Sequence, residues 1–338
     1  AIGTEALTTN ILGSSSVAIG TGALAVQNPA SAVSMLNVAV GQDAGVNITT
    51  GEQNTIVGGL AGDALNTGGL NVAFGLHALG GDTKGSRSTA LGYSALLTQN
   101  FTSATETYNT AVGFEAGKAV TTGLRNTLLG GSAADALTTG NDNIFIGHLA
   151  GTHATNSTTG DNNSLIGSFS DTAAADTSNA NVFGADVQGT AGYTTLGIGT
   201  DDIRAAHGNI TWATVSDERY KKDVVDSEAG LSLINALRPR TFKYKTLGEL
   251  PETFRAYEAD STKVFKNTQT NHGFIAQEIK AAIDADDSIK DGFRLWDERP
   301  DGSQEVGEAA LIPVLVKAIQ EQSALITALT ARITTLEG

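Results

Sequence analysis

Asn109-Thr110-Ala111-Val112-Gly113, followed by Phe114-Glu115-Ala116-Gly117-Lys118-Ala119-Val120-Thr121-Thr122-Gly123, is one copy of a unit that recurs through the first half of the chain. Its first five residues alternate like a short strand with one inward face. The next residues favour one or two helical turns, ended by a Thr-Gly pair whose glycine takes a left-handed conformation.

The unit repeats with a basic period of 17 residues. Alignment on the glycine that follows an aliphatic residue or Phe gives spacings of 21, 17, 17, 17, 21, 17, 17, 20 and 17. An asparagine commonly stands four residues before this glycine, and an alanine three residues after it. A fixed period sustained over so many residues is the signature of a solenoid or stacked array. The aligned residues are Gly20, Gly41, Gly58, Gly75, Gly92, Gly113, Gly130, Gly147, Gly167 and Gly184.

The recurring small and amide residues predict how the units stack. Ala and Gly imply close approach between coils, or between chains at a shared axis. Asparagines stacked in a ladder satisfy their own polar groups along the stack. The extra residues of the longer units, such as Gln99–Thr102 and Asn156–Thr159, are expected to bulge outward as surface loops.

The aliphatic-Gly-x-x-Ala pattern resembles the head repeats of trimeric bacterial adhesins and the shafts of phage fibres. The adhesin repeat is shorter, so the resemblance implies a trimeric β-roll or β-solenoid but not its register. Regular Val, Ile, Leu and Phe positions argue against a disordered stretch. A regular Thr-x-Thr array, which ice binding would need, is absent from the sequence. The Gly-Gly-x-Gly-x-Asp runs of calcium-binding repeats do not occur either.

Composition limits the classes of function. A formal net charge of -15 argues against a nucleic-acid partner, because phosphate binding needs clustered Lys and Arg. The chain contains no cysteine, which excludes disulfides and Cys nucleophiles. Its five histidines are scattered, without carboxylates at ligand spacing, so we expect neither a metal nor a cofactor. They are His77, His148, His153, His207 and His272.

Targeting signals are not evident. No run of 18 apolar residues occurs, so we expect no membrane insertion. The start, Ala1-Ile2-Gly3-Thr4-Glu5, has no basic region followed by an apolar core, and therefore does not read as a signal peptide. It also lacks an initiator Met, which indicates a fragment or a processed product.

Charge and glycine content change sharply near residue 215. Residues 1–215 hold 5 Lys/Arg and 15 Asp/Glu, whereas residues 216–338 hold 16 and 21. Glycine shows the reverse bias, with 33 of 40 in the first part. The shift predicts a domain boundary, and it coincides with the run Ser216-Asp217-Glu218-Arg219-Tyr220-Lys221.

Taken alone, a serine with a lysine five residues later has two readings. The serine caps a short helix whose basic residues face solvent, or the pair is a nucleophile and its base. Further blocks follow in order: Gly230-Leu231-Ser232-Leu233-Ile234-Asn235-Ala236-Leu237-Arg238-Pro239, then Phe242-Lys243-Tyr244, then His272-Gly273-Phe274-Ile275-Ala276-Gln277-Glu278.

Residues 212–338, with these blocks, resemble the C-terminal intramolecular chaperone of phage endosialidases, tail fibres and neck appendages, a self-cleaving Ser-Lys peptidase domain. The resemblance implies that Ser216 attacks the carbonyl of Val215 and that Lys221 accepts its proton. Arg219 either supplies positive charge or orients the strand. Asp217 either holds Arg219 or caps the next turn.

Local patterns predict the elements of this domain. Residues 227–237 read as an amphipathic helix that ends before Pro239, and residues 241–244 alternate like a strand. Residues 246–271 read as a protruding loop, and residues 274–283 as a second helix. For His272 and Gln277 we favour packing or hydrogen bonding over catalysis.

The tail repeats at heptad spacing, with Ile at a and mostly Leu at d. Pro313 fits the first turn of a helix. Ile at a with Leu at d favours a dimer by itself. We predict a trimer because the resembling family is trimeric and because Gln322 places a polar layer in the core. The a positions are Ile312, Ile319, Ile326 and Ile333, and the d positions are Leu315, Gln322, Leu329 and Leu336.

The sequence therefore predicts a mainly β chain: a trimeric β-roll or β-solenoid stalk, a small α+β chaperone domain and a C-terminal coiled coil. We expect a homotrimeric phage fibre or spike, assembled in the host cytoplasm and carried on the virion. Its partner is a host surface receptor, a glycan or an outer-membrane component. Alternatives are a bacterial trimeric adhesin and a glycan-depolymerising spike. The predicted segments are 1–200 (repeat stalk), 201–215 (junction), 216–308 (chaperone and protease) and 309–338 (coiled coil).

Overall fold

The computed structural model describes residues 1–209, 211–289 and 293–337. It divides into two compact units, Ala1–Asp217 and the part that begins at Glu218. The first unit is a β-solenoid of about 11 turns, and the second combines short strands and helices with a long C-terminal helix. The predicted mainly β solenoid architecture is confirmed.

One sheet runs the length of the solenoid. In the described part of the chain it has twelve strands, ordered along the stack as they occur in the sequence. All neighbouring pairs are parallel except the last. The strands are Val17–Ile19, Val38–Val40, Thr55–Val57, Val72–Phe74, Thr89–Leu91, Thr110–Val112, Thr127–Leu129, Ile144–Ile146, Ser164–Ile166, Asn181–Phe183, Tyr193–Ile198 and Asp201–Ala206.

Shorter parallel pairs flank the longer coils: Gly13–Ser14 with Val33–Ser34, Gly85–Ser86 with Thr105–Glu106, and Asp171–Thr172 with Gln188–Gly189.

The glycine after each short strand lets the coils approach. Gly113 has φ +141°, which L residues with a side chain rarely adopt. A Cβ built on it would lie 2.3 Å from the carbonyl oxygen of Gly130 in the next coil. Both the torsion and the contact require glycine, which is why this position recurs.

The residues after this glycine are not helical, and the predicted helical turns are wrong. Positive φ recurs at every second position, for example at Gly113, Glu115 and Gly117. The N–H groups of alternate residues point to opposite neighbouring coils: Glu115 donates to the Tyr93 carbonyl of the preceding coil and Gly117 to the Ala133 carbonyl of the following one. The N–H groups of Ala116 and Lys118 bond to carbonyls three residues back in their own coil. Hydrogen bonds between coils, together with these tight-turn bonds, therefore take the place of the hydrogen bonds of a helix.

The left-handed conformation predicted for the glycine of the Thr-Gly pair is also wrong. Gly123 does not have positive φ. It is needed because a Cβ there would lie 2.4 Å from the carbonyl oxygen of Gly140. Its own carbonyl accepts the side-chain amide of Asn109 at 2.7 Å.

The stacked asparagines form a buried ladder, as predicted. Asn109 Oδ1 accepts the backbone N–H of Asn126 at 2.9 Å, and Asn126 Oδ1 accepts that of Asn143 at 3.0 Å. Most of the side-chain amides donate to a glycine carbonyl, as Asn126 does to Gly140 at 2.9 Å, whereas Asn163 donates to the carbonyl of Thr177 at 2.7 Å. The polar groups are satisfied mainly by backbone rather than by one another.

A different buried network replaces the ladder at the longer coil that contains Gln99. Gln99 Nε2 donates to Asp82 Oδ2 at 2.6 Å, and its Oε1 accepts the amide of Asn109 at 2.8 Å. Asp82 Oδ1 also accepts the N–H groups of Gly85 (3.0 Å) and Phe101 (3.1 Å). The expectation that these insertions bulge entirely outward is wrong, because Gln99, Phe101 and Ser157 are buried.

Side-chain sizes within a coil are complementary across the core. Phe145 at the middle of its strand faces Gly151, where a Cβ would lie 2.4 Å from the ring. In another coil the strand centre is Ala90 and the residue six positions later is Leu96, both fully buried. Large and small residues exchange places, which keeps the narrow core filled.

A hairpin ends the solenoid. Strand Asp201–Ala206 pairs antiparallel with Tyr193–Ile198 and occupies the last edge of the sheet. Charged residues such as Asp202 and Arg204 on an edge strand discourage further pairing. The sheet thus continues to Ala206, past residue 200, where the sequence placed the end of the stalk.

The second unit is small and mixed. Helix α1 spans Leu231–Ala236, α2 spans Ala276–Asp284 and α3 spans Leu311–Glu337. Its paired strands are Arg240–Phe242 with Asn271–Gly273, and Trp296–Glu298 with Gln304–Val306. Single 3-10 turns cover Glu218–Tyr220, Leu247–Glu249 and Glu308–Ala310.

Two sequence predictions for this unit need adjustment, and one element is new. The first helix starts at Leu231 rather than 227, where Gly230 lies against the Glu321 carboxylate and Leu231 N–H donates to it at 2.8 Å. The strand is shifted to Arg240–Phe242. The hairpin of Trp296–Glu298 and Gln304–Val306 was not foreseen.

Replacing Asp82 by Asn should destabilise the solenoid. The new amide would face the Gln99 amide, and turning Gln99 over would set its amide against that of Asn109. One buried donor loses its acceptor either way, which costs on the order of 1–3 kcal/mol. Thermal or denaturant unfolding measures this, with the exposed Asp176→Asn as control. Equal stability of the two variants would contradict the network.

Candidate functional site

The predicted cleavage segment leaves the end of the solenoid as exposed irregular chain. Ala213 is still held, by a bridge in which it and Arg204 exchange N–H···O bonds of 2.8 Å. Residues 214–217 have no regular secondary structure, and Val215 is 57% exposed. The Val215–Ser216 peptide bond is therefore accessible to chemistry.

The sequence-predicted residues lie on both sides of the division between the compact units. Ser216 is exposed and Asp217 is half-buried in the first unit. Arg219 belongs to the single 3-10 turn Glu218–Tyr220 of the second. Lys221 closes this turn with its N–H to the Glu218 carbonyl at 2.9 Å, and its side chain is exposed.

The exposure of the Lys221 side chain matters for its predicted role as a base. A lysine accepts a proton only when it is neutral, and burial or nearby positive charge favours the neutral form. Arg219 is nearby in sequence and can supply such a charge. The Lys221 side chain is not buried in the single chain.

An ion pair joins the first strand of the second unit to its second helix. Arg240 Nε lies 2.8 Å from Glu278 Oε2, the Arg240 Nη2 group contacts Glu278 Oε1, and Arg238 lies 3.6 Å away. The hydrogen bond from Arg240 lowers the pKa of Glu278 below its ordinary value. His272 lies on strand Asn271–Gly273, paired with Thr241, and both His272 and Gln277 are exposed. Because both side chains are exposed, neither residue lies in the core of this unit.

A small apolar core holds the unit around the start of α3. Ile279, Ile283, Leu295 and Leu311 are buried together. Leu233 packs with Val314 in an adjoining cluster. The segment around Ser216 is thus followed by a unit that has an apolar core of its own.

Comparison with protein families identifies this unit. Residues 216–287 match the Peptidase S74 family, described as the chaperone of endosialidase. The C-terminal unit carries an endosialidase-type chaperone domain. The match begins at Ser216, the first residue after the predicted scissile bond. No curated protein and no solved structure matches the chain.

The family assignment implies that the chaperone domain is a self-cleaving peptidase. The matched residues include α1, the strand pair and α2. They stop before the hairpin and α3, so the C-terminal helix is understood from its own pattern. The family also suggests a phage tail protein.

The chaperone domain ends in a helix with two different faces. Leu311, Val314 and Ala318 are buried against the body. The heptad a residues lie on another face and remain 53–64% exposed. At the d positions Leu315, Leu329 and Leu336 are 43, 58 and 79% exposed. An exposed apolar stripe of this length is suited to packing against identical helices in a coiled coil.

Over the described residues, the helical stretch Glu308–Glu337 is also long and apolar enough to cross a membrane, by length and composition alone. This is weak evidence, since helices packed in protein pass the same test. Lys317, Glu321 and Arg332 interrupt the stretch. The absence of membrane insertion stays a prediction.

Glu278→Gln should lower the melting temperature of the chaperone domain at pH 7. The folded pKa of Glu278 is depressed, so its stabilising effect is present above the unfolded pKa of about 4.3 and is lost as pH falls through the folded value. The difference from wild type should therefore shrink in acid. Arg240→Gln should lower the melting temperature to a similar extent. The Glu278→Gln/Arg240→Gln double variant should melt only slightly below either single variant.

The exposed Glu252→Gln serves as the charge-matched control and should melt like wild type. If Glu278→Gln and Glu252→Gln melt together at pH 7, the ion pair does not hold the strand to α2.

Proposed function

We propose that this chain is part of a homotrimeric phage fibre or spike whose C-terminal chaperone directs assembly and then cuts itself from the stalk between Val215 and Ser216. The observation that carries the proposal is the family match that starts at Ser216, directly after an exposed, irregular peptide segment. The solenoid is the product, and the domain after it is the assembly device.

The chemistry requires two steps. Ser216 Oγ attacks the carbonyl carbon of Val215 while Lys221, in its neutral form, takes the hydroxyl proton. A C–O bond forms, the C–N bond breaks, and the proton passes to the released amine of Ser216. Water then hydrolyses the ester and restores the hydroxyl. Since the enzyme cuts its own backbone, each chain turns over once.

Assembly supplies what the single chain lacks. The exposed Lys221 becomes an effective base when neighbouring copies of the domain bury it, which couples cleavage to association. Arg219 then contributes positive charge or orients the segment. Asp217 either holds Arg219 or caps the 3-10 turn.

The repeat explains why such a device is useful. A shift of one 17-residue unit between chains preserves most contacts, so register is weakly specified by the stalk itself. A parallel α3 bundle fixes the number and alignment of chains and raises their local concentration. Cleavage afterwards leaves the stalk with kinetic stability.

The stalk's partner is a host surface receptor, either a glycan or an outer-membrane component. The chain would be carried on the virion and assembled in the host cytoplasm. The phage-tail association of the chaperone family supports this placement.

Freshly made wild-type protein should contain two pieces, of 215 and 123 residues (the 338-residue chain cut after Val215), by denaturing mass spectrometry. Ser216→Ala removes the nucleophile and Lys221→Ala the base, so each should leave one full-length chain. Lys222→Ala changes the neighbouring lysine and should still be cut. A wild-type chain that stays whole while trimeric would refute self-cleavage at this bond.

Charges in the heptad core should block both assembly and cleavage. Ile319→Glu with Ile326→Glu places two carboxylates at a positions, where burial of unpaired charge is unfavourable. We expect a monomer that remains uncut. Gln320→Glu with Thr327→Glu adds the same charge at b positions of the same heptads and should change neither property.

Light scattering and denaturing mass spectrometry read the two outcomes separately. A cut but monomeric Ile319→Glu/Ile326→Glu chain would show that cleavage does not need the bundle.

A further inference from the structure

The outer face of the solenoid sheet is free of charge. In each of the ten three-residue strands from Val17–Ile19 to Asn181–Phe183 the middle residue is buried and the first and third point outward. None of these twenty outward positions is Asp, Glu, Lys or Arg, and fourteen are Val, Ile, Leu or Phe. We call these positions the outer face.

Charged residues of the stalk are placed elsewhere on the coils. Residues 1–215 hold 5 Lys/Arg and 15 Asp/Glu, yet the outer face avoids all of them. Ion pairs lie just before the strands instead, as between Arg87 and Glu106 and between Arg125 and Asp142. A face that only met water would not need this partition.

The outer face is large and continuous. Strands spaced about 4.8 Å apart make a strip on the order of 50 Å long, and three residues make it about 10 Å wide. Phe74, Leu129 and Phe183 on it are 57, 45 and 41% exposed. Such a strip is at the upper end of what monomeric soluble proteins expose, and larger apolar patches mark contact sites.

From this face we infer that the stalks of neighbouring copies pack on one another through their outer faces, at the axis of the assembly. The inference rests on the proposed trimer. The rest of the stalk has an excess of acidic residues and repels its copies, so an uncharged face is where they can meet. A parallel bundle of α3 helices also brings equivalent coils to equivalent heights.

Large side chains just beyond the outer face can mark the register of this repetitive stalk. Tyr93 and Phe114 follow the strand glycines of neighbouring coils and stack with ring centroids 5.3 Å apart. They and Leu76, one coil earlier, are exposed, and the same position is glycine in the flanking coils, at Gly59 and Gly131. A shift by one coil would set this three-coil ridge against different partners.

Cross-linking tests the inference directly, because the chain has no cysteine of its own. Thr127→Cys puts one thiol on the outer face, and Thr139→Cys puts one in the same coil on an exposed turn. A short bismaleimide reacts across distances that a disulfide does not tolerate. In full-length protein, Thr127→Cys should give cross-linked stalks, and Thr139→Cys only the background level.

Charge on the face should separate the copies. Val112→Glu with Leu129→Glu, added to Thr127→Cys, should abolish the cross-link, while Thr122→Glu with Thr139→Glu, in the same two coils, should preserve it. Far-UV circular dichroism confirms that the solenoid is folded in each variant. Equal cross-linking of Thr127→Cys and Thr139→Cys, or cross-linking that survives charge on the face, would overturn the inference.

Cleavage is read on the same samples by denaturing mass spectrometry. Cleaved chains without face cross-links would refute the outer-face contact and leave self-cleavage standing. Face cross-links in chains that stay whole would do the reverse.

Discussion

The structure depends on how closely one coil lies against the next. At Gly113 a Cβ would lie 2.3 Å from the Gly130 carbonyl oxygen, and at Gly123 it would lie 2.4 Å from that of Gly140. Both contacts recur from coil to coil. They let backbone hydrogen bonds join the coils on both sides of the core, and they line up each residue of the unit in a column. The buried Asn ladder and the uncharged outer face are consequences of that alignment.

The same alignment creates a difficulty that the second unit would address in the proposed assembly. A stalk whose coils are nearly equivalent satisfies its contacts in several registers, and an apolar face without charges offers little discrimination. In the proposed trimer, association through α3 would fix the register before the outer faces meet. An exposed, irregular bond at its N-terminal border makes that domain removable, which fits a peptidase of the chaperone family.

Much of the fold was readable from the sequence, because the strand glycine, the ladder asparagine and the heptad isoleucines each recur at a fixed spacing. The turns were not. Their positive-φ positions are held by residues such as Glu115, Ser94 and Leu96, which carry no left-handed signature. Contacts between coils impose the conformation, and the sequence shows only that Val, Ile and Thr are avoided among the described positive-φ residues. Gly123 was misread because crowding, rather than torsion, requires it.

For the site, the sequence predicts Ser216 and Lys221 through an ordered set of family-like blocks, and the family match begins at residue 216. Their chemistry was less accessible, because Lys221 is exposed in one chain and the proposed mechanism requires its burial. The central claim is that assembly provides it. Cell-free synthesis over a range of chain concentrations, with the cut fraction followed in time, tests this most directly. The account predicts that the rate of cleavage per chain falls as the chain is diluted. A rate per chain that is the same at every concentration would contradict it.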